Sequence, residues 1–283
     1  MKMALQTVRV VLDTAPIRNL AEMDEPPCWV EIFERMSADG YLFSLADNAC
    51  LELINQISKR AIDASKHKRM LSSLSRFIDR ELPVVLAGKD IIKIIEGKSQ
   101  GAVPPEILSF SKKAFFALGC IEKCSNLERS ETILDEFRNE WKNIFEFFFN
   151  KCSESDISFG LNEYNDEHLN CIMSLMDKNF SMVHSYSVRY DLWIRYTWRQ
   201  LVRSKKATAP YNPSAKKKRN DGIDFTLLDY LALPSLVVTE DKGLLSKMKD
   251  IPSFQTDWIK DPYVLAKSWR DGVRPEPKWP ELI

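Results

Sequence analysis

The chain has 283 residues, of which 45% are hydrophobic and 28% charged, an ordinary composition for a globular protein. Its 40 basic and 40 acidic side chains cancel, so net charge gives no information about partners, and any binding of nucleic acid must rest on local patches. The small number of glycines, 9, argues against a β-sandwich, a barrel or a flexible linker protein, and no stretch approaches the roughly 18 apolar residues of a membrane span.

The six cysteines predict free thiols in a reduced, cytoplasmic protein rather than a disulfide framework. No secretory signal accompanies them, because Arg9 and Asp13 interrupt the apolar run near the N-terminus. Cys120 and Cys124 have a spacing that could hold a metal, but no second pair lies at zinc-finger spacing. Ordinary buried thiols are therefore the favoured interpretation.

The first predicted element is a strand over residues 7–12, a β-branched, apolar run that ends abruptly on Asp13. A weak helical region follows over 17–37 and is broken by Pro26 and Pro27. Ser44 is then expected to cap a helix whose apolar residues recur every three or four positions, with Glu52 well inside it.

The middle of the chain, from Asp63 to about Arg203, is predicted to be entirely helical. Its expected helices cover 66–81, 104–122, 127–150, 165–181 and 185–203. Two of them carry apolar and aromatic stripes, formed by Phe137, Trp141, Ile144, Phe145 and Phe148 and by Tyr186, Tyr190, Trp193, Ile194, Trp198 and Leu201. Such stripes could stack on bases, but helix–helix core is the favoured interpretation.

The composition changes at residues 204–219, where two prolines, small residues and many basic side chains predict a mobile, cationic loop. After it the sequence predicts a short helix through Leu233, a strand over 236–239 and a helix over 242–248. A final strand is expected over 254–259, and the proline-rich tail is expected to be irregular.

Four carboxylates stand at corresponding points of these elements. Asp13 ends the first strand, Glu52 lies inside the following helix, Asp224 is expected to open the helix before the second strand, and Asp241 follows that strand. Open parallel sheets place their chemistry just past the carboxyl ends of their strands. Clustered carboxylates repel one another unless a cation is present, and Mg²⁺ and Mn²⁺ prefer such oxygen ligands. The pattern therefore predicts a divalent metal site.

Each of these acids is also compatible with a purely structural role. Asp13, Asp224 and Asp241 could each be a helix N-cap, and Glu52 could face solvent. The ordered set is a stronger signal than any member of it. Asp221 lies one helical turn before Asp224 and could share its face, so the third metal ligand is left open between the two.

The acid-bearing segments resemble those of PIN-domain nucleases. Val10-Val11-Leu12-Asp13-Thr14 resembles the opening strand of that family with its first metal acid, and Leu236-Val237-Val238-Thr239-Glu240-Asp241 resembles its most specific motif. Residues 45–55 and 220–225 are similar to the segments with the second and third acids. The chain departs from the family pattern at Ala15, where Asn or Ser is frequent. The resemblance covers about 1–60 and 220–283.

The resemblance implies an α/β fold with a PIN-like parallel sheet flanked by helices, formed by residues 1–60 and 220–283. A large helical insertion at 61–203 and the basic loop at 204–219 would interrupt it. It also implies a Mg²⁺- or Mn²⁺-dependent nuclease that leaves 5′-phosphate and 3′-hydroxyl ends. The implied catalytic acids are Asp13, Glu52, Asp224 and Asp241, with Asp221 as a further candidate metal ligand.

The expected substrate is RNA, with single-stranded or flapped DNA close behind. Lys216, Lys217, Lys218, Arg219 and Lys242 are predicted to contact its phosphates. A toxin or antiphage role is an analogy with the family, and a protein regulator or a homo-oligomer is compatible with it. The competing hypothesis is a non-catalytic PIN-like scaffold that binds nucleic acid or a protein partner through its helical insertion. A solvated loop or a nuclear localisation signal are the other interpretations of the basic run.

Overall fold

The computed structural model describes residues 8–99, 103–120, 128–154, 186–205, 208–218 and 220–279. They form an α/β fold around a five-stranded sheet with strand order β3-β2-β1-β4-β5. All four strand pairings are parallel. The strands are β1 (Arg9–Leu12), β2 (Leu42–Ala46), β3 (Val84–Val85), β4 (Ser235–Val238) and β5 (Ile259–Lys260).

Helices flank this sheet. Those before β4 are α1 (Thr14–Glu22), α2 (Cys28–Ala38), α3 (Asp47–Ser58), α4 (Ala64–Leu74), α5 (Lys89–Ser99), α6 (Pro105–Gly119), α7 (Glu128–Glu154), α8 (Tyr186–Arg189), α9 (Asp191–Ser204) and α10 (Asp221–Thr226). After β4 come α11 (Lys242–Met248) and α12 (Pro262–Arg270). Short 3-10 turns occupy Lys216–Lys218, Asp229–Ala232 and Phe254–Trp258.

The two strands that carry the predicted acids are neighbours at the centre of the sheet. Every residue of β1 and β4 is buried. Because successive side chains point to opposite faces of a sheet, this burial means that both faces are covered, as in other parallel sheets. The prediction of two buried parallel strands at these positions is confirmed.

Several predictions of secondary structure are wrong. Ser44 is not a helix cap: it lies within β2, where its hydroxyl donates to the Leu82 carbonyl at 2.6 Å and accepts from Arg9, and the helix begins only at Asp47. The middle of the chain is not entirely helical, because Val84–Val85 forms β3 beside β2. Residues 254–258 form a 3-10 turn, and the final strand is confined to Ile259–Lys260.

Most of the remaining helices lie close to the predicted positions, but α4 ends at Leu74 rather than at residue 81, and α5 corresponds to none of the predicted helices. The interruption at Pro26 and Pro27, the long helix near 127–150 and the helix over 242–248 are all present. The predicted helix at 165–181 lies outside the described residues. None of the helices in the described part of the chain combines the length and the apolar character needed to cross a membrane.

Helix α7 is the main contact between the helical middle of the chain and the acid-bearing elements, since it packs on both α3 and α10. At its contact with α10, the rings of Trp141 and Phe225 lie 4.1 Å apart between centroids. Gly222 allows this approach, because a Cβ there would lie 2.9 Å from the Arg138 Cα atom. The aromatic stripe of α7 is therefore helix–helix core, with Trp141, Phe145 and Phe148 all buried.

Candidate metal centre

The candidate site lies where the chain reverses its direction across the sheet. From β1 the chain proceeds to β2 and β3 on one side, and it returns to the other side of β1 for β4 and β5. Such a switch point opens a crevice beyond the carboxyl ends of the strands. Two hydrogen bonds join the strand ends here: the Asp13 amide donates to the Val238 carbonyl at 2.9 Å, and the Thr239 hydroxyl donates to Asp13 Oδ2 at 2.6 Å.

All four predicted catalytic acids line one pocket in this crevice, although Asp13 and Asp241 are more than two hundred positions apart in the chain. β1 and α1 supply Asp13, α3 supplies Glu52, α10 supplies Asp224, and the turn between β4 and α11 supplies Asp241. The full lining consists of these four acids together with Thr14, Ala15, Arg18, Asn19, Gln56, Asn220, Ile223, Glu240, Lys242 and Gly243. We refer to it below as the acid pocket.

Asp13 and Asp241 also cap the helices that follow them. Asp13 Oδ1 accepts from the Thr14 amide at 2.6 Å, and Asp241 Oδ1 accepts from the Leu244 amide at 3.0 Å. The structural role that the sequence left open is therefore present at both residues, together with their position in the pocket. Because capping fixes one oxygen of each carboxylate on the backbone, it also fixes the direction in which the side chain points.

Glu52 and Asp224 reach the pocket from helices. Glu52 projects from the middle of α3 and accepts a hydrogen bond from the Thr14 hydroxyl. Asp224 does not open its helix, as the sequence suggested: α10 begins at Asp221, which puts Asp224 one turn further along. Its Oδ2 lies 3.3 Å from the ammonium group of Lys247 on α11.

The acids of the pocket influence one another electrostatically. Burial raises the pKa of Asp13 to about 6, against hydrogen bonds from Thr239 and Thr14, and the charges of Glu52 and Asp241 raise it further. Burial also raises the pKa of Asp224 to about 6, with Lys247 opposing and Asp241 and Asp13 adding to the rise. The pKa of Glu52 is raised by burial and by Asp224. A divalent cation would relieve this repulsion.

Asp221 occupies a different position from the four acids. It is 5% exposed, and its carboxylate accepts from the Tyr211 hydroxyl at 3.2 Å and lies 3.4 Å from Lys247 Nζ. It does not line the acid pocket. It lines a neighbouring cavity instead, and Lys247 lies between the two, in contact with both Asp221 and Asp224. Of the two candidates for the third metal acid, the structure brings Asp224 and not Asp221 to the other acids.

Two residues at the site are missing from the sequence predictions: Glu240 lines the acid pocket, and Lys247 lies beside it, against Asp224. Glu240 directly precedes Asp241, and this adjacency was the only signal for it; it accepts a hydrogen bond from Asn19, while its Oε1 is buried and receives no hydrogen bond from the described residues. Lys247 had no signal in the sequence, because only the packing of α11 against α10 brings it to Asp224.

The donor set fits a hard divalent cation, since four carboxylates line the pocket and Glu240 adds a buried oxygen that has no hydrogen-bond partner among the described residues. As the side chains stand, however, no three acidic, histidine or cysteine groups among the described residues converge closely enough to hold a metal ion. The reason is visible in their partners: hydroxyls engage Asp13 and Glu52, a backbone amide engages Asp241, and Lys247 engages Asp224. Binding would require these carboxylates to exchange partners.

The predicted phosphate-contacting residues divide into groups. Lys242 is exposed and lines the acid pocket. Lys217 and Lys218 line the neighbouring cavity, whereas Lys216 is exposed and lines neither. Arg219 lies outside the described residues.

Asp229 lies away from the acid pocket. It lines an aromatic cavity with Trp141, Trp193 and Phe225, and burial raises its pKa to about 8.

No protein-family model, no curated protein and no solved structure matches this chain.

Proposed function

We propose that the chain is a Mg²⁺- or Mn²⁺-dependent nuclease with a PIN-like core, and that it cleaves phosphodiester bonds in RNA or single-stranded DNA. The observation that carries the proposal is the convergence of Asp13, Glu52, Asp224 and Asp241 on one pocket at the switch point of a parallel sheet. A structural explanation accounts for Asp13 and Asp241 as helix caps. Glu52 and Asp224 cap no helix: they are contacted by Thr14 and Lys247, and they lie partly buried among like charges.

In this proposal Asp13, Glu52, Asp224 and Asp241 hold the cation, and Glu240 supports it from the pocket wall. When bound, the cation supplies charge for polarising a phosphodiester and for lowering the pKa of an attacking water. Thr239 holds the Asp13 carboxylate at the ends of β1 and β4, and Thr14 orients Glu52. Lys242 and Arg18 at the rim place positive charge where the phosphates of a strand would enter.

The helical middle of the chain would be an insertion in this core, with α7 packed against α3 and α10. RNA is the preferred substrate because the family resemblance implies it, and a cytoplasmic setting, a toxin or defence role and a protein regulator remain part of the same analogy.

A second candidate function is a non-catalytic scaffold. The observation in its favour is that each acid already has a hydroxyl, amide or lysine partner, so the pocket can exist without a cation. The two candidates differ in one property, which is whether the purified protein binds Mn²⁺.

The test compares cleavage of labelled RNA and single-stranded DNA by the wild type, Asp13→Asn and Asp241→Asn, with Mn²⁺ or with EDTA. Asp257→Asn is the matched control, because it makes the same change on a side chain that is 94% exposed and outside the pocket. We expect cleavage that requires Mn²⁺, that both pocket variants abolish and that the control retains. A folded wild type that neither binds Mn²⁺ nor cleaves would end the nuclease proposal and leave the scaffold.

A further inference from the structure

A second cavity adjoins the acid pocket on the far side of α10. Its volume is about 630 Å³, within the range of small-ligand sites, about 300–1,000 Å³. It lies between the end of α9, the segment 209–218 and α11. Its charged lining consists of Arg203, Lys217, Lys218 and Lys247 against the single carboxylate of Asp221. We refer to it as the basic cavity.

The inner wall of the basic cavity is polar and firmly held. Gln200 is 3% exposed, and Tyr211 is buried with its hydroxyl bonded to both Trp141 Nε1, at 2.8 Å, and Asp221. Tyr211 is also fixed through its amide, which donates to the Arg203 carbonyl at 3.1 Å. The cavity is therefore a formed feature of the fold and not merely a gap under a loop of lysines.

Lys247 connects the basic cavity with the acid pocket. Its ammonium group lies 3.4 Å from Asp221, which lines the cavity, and 3.3 Å from Asp224, which lines the pocket. Its backbone carbonyl accepts from Arg199, which also pairs with Asp250, so the end of α11 is tied to α9. A ligand in the basic cavity would thus lie directly beside the acid pocket.

The chemistry of the lining favours an anion with several oxygens. The lining carries four cationic side chains and one carboxylate, with Lys218 Nζ at 3.7 Å and Lys247 Nζ at 3.4 Å from Asp221. The Arg203 guanidinium is a donor of a kind suited to a phosphate group. Carboxylate ligands would meet the same charges but have no reason to lie beside the acid pocket. A nucleic acid strand provides phosphates at regular spacing on both sides of the phosphate that is cleaved.

We propose that the basic cavity binds a second phosphate group of the nucleic acid strand that enters the acid pocket, through Arg203, Lys217, Lys218 and Lys247. The proposal rests on the proposed nuclease function, since that function supplies the strand. The group could be an internal phosphodiester or a terminal phosphomonoester, which share the same oxygen chemistry. It assigns Lys217 and Lys218 to a defined subsite and leaves Lys216 outside it.

The experiment compares Lys217→Ala with Lys216→Ala, two neighbouring exposed lysines of one 3-10 turn, of which only the first lines the cavity. Both changes are made in the full chain carrying Asp13→Asn. Binding of labelled single-stranded RNA is measured by fluorescence anisotropy over a range of salt concentrations in EDTA, so that cleavage plays no part. Strands with a 5′-phosphate and with a 5′-hydroxyl form the two arms, and Arg203→Gln is a second cavity variant.

We expect Lys217→Ala and Arg203→Gln each to weaken binding and to lower the slope of log affinity against log salt by about 0.7, the value for one phosphate contact on a single strand. Lys216→Ala should leave the slope unchanged. Loss confined to the 5′-phosphorylated strand identifies a terminal monoester, and equal loss in both arms identifies an internal diester; either result supports the subsite. Equal effects of Lys216→Ala and Lys217→Ala, or no effect of either, would overturn it.

The two proposals can fail separately. Normal discrimination between the lysine variants, with no cleavage by the wild type, would remove the nuclease and keep the phosphate subsite. Metal-dependent cleavage without such discrimination would keep the nuclease and remove the subsite.

Discussion

Asp13 performs two tasks with one side chain. One carboxylate oxygen accepts from the Thr14 amide at the start of α1, and the other accepts from Thr239 at the end of β4. Burial against these partners, and beside the charges of Glu52 and Asp241, raises its pKa to about 6. Without a cation, keeping this carboxylate ionised costs free energy. Residues with pKa values perturbed in this way are frequent at functional sites.

The raised pKa values predict how pH controls cation binding. Asp13 and Asp224 both have a pKa of about 6, so protons compete with a cation below that value. We expect the affinity for Mn²⁺ to be nearly constant above about pH 7 and to fall steeply as pH decreases through 6. Calorimetric titration from pH 5 to 8 would measure it, and an affinity that is flat through pH 6 would contradict the assignment of these two acids.

Lys247 is predicted to set the pKa of Asp224. Its charge lowers that pKa against the larger effect of burial, so Lys247→Met should raise the pKa of Asp224 above its present value of about 6. The pH midpoint of Mn²⁺ binding should move upwards in this variant. Lys249→Met is the matched control, because Lys249 is an exposed lysine at the end of the same helix. A midpoint that is unchanged or lower in Lys247→Met would show that the ion pair does not act on the pocket.

At the scale of elements, α7 links the helical middle of the chain to the acid pocket. It packs on α3, which carries Glu52, and on α10, which carries Asp224. The contact with α10 is close because Gly222 faces the backbone of α7 at Arg138 and Phe137. Since a packed interior resists even one extra methyl group, the spacing of these two helices is fixed by this residue.

Gly222→Ala therefore tests whether α7 positions the third acid. The added Cβ would lie 2.9 Å from a backbone atom of α7, so α10 must shift and carry Asp224 with it. We expect a destabilisation of about 1–3 kcal/mol, together with weaker Mn²⁺ binding. The measurements are denaturant unfolding and cation titration.

Gly119→Ala is the control for this substitution. Gly119 ends α6, and nothing lies within 4 Å of a Cβ built there, so the free energy of unfolding should change by less than about 1 kcal/mol. Normal Mn²⁺ affinity in a destabilised Gly222→Ala protein would show that the α7–α10 contact serves stability alone.

At the scale of the whole molecule, the buried acids of the pocket are expected to lower the stability of the folded protein at the pH values at which they are ionised and able to bind a cation. The pKa of Asp13 is 3.8 when unperturbed and about 6 in the folded protein. Between these values the folded state binds more protons than the unfolded state, so the contribution to stability is present below about pH 4 and is lost as pH rises through 6. Asp224 acts with the same sign, and each group contributes on the order of 3 kcal/mol.

The thermal stability of Asp13→Asn relative to the wild type should consequently depend on pH. In EDTA, we expect the difference in Tm to shift in favour of the variant by several degrees between pH 4 and pH 7, at about 2–4 °C per kcal/mol for a chain of this class. Asp257→Asn should show no such pH dependence, since its side chain is 94% exposed. A difference in Tm that stays constant with pH would contradict the raised pKa of Asp13.

Added Mn²⁺ should restore, in the wild type, the stability that is lost at neutral pH when Asp13 and Asp224 are ionised. A cation at one hundred times its dissociation constant stabilises the folded state by about 2.7 kcal/mol, because it binds the folded chain alone. The wild type should therefore gain Tm at neutral pH, and Asp13→Asn should not.

The sequence by itself determined the local features of this protein. Continuous apolar runs at β1 and β4, the strand–acid pattern at Asp13 and Asp241, and the helix with internal Glu52 all follow from periodicity and from the chemistry of neighbouring residues, and the structure has them in those places. The sequence missed β2 and β3 and placed the final strand at 254–259 rather than at β5. Strands of two residues, such as β3 and β5, have no period to detect. It also misread Ser44, because a serine just before an apolar helical run is typical of an N-cap. Only the folded chain brings Arg9 and the Leu82 carbonyl to its hydroxyl.

Only the tertiary structure decided which side chains meet. The order β3-β2-β1-β4-β5 places β1 beside β4, and this adjacency, not any local signal, brings Asp13 to Asp241. Asp224 lines the acid pocket and Asp221 lines the basic cavity, a choice that the sequence left open because the two residues are one helical turn apart. Tertiary contacts also bring Glu240 and Lys247 to the site. Local patterns depend on neighbours in the chain, whereas a site at the switch point of a sheet depends on which distant elements pack together.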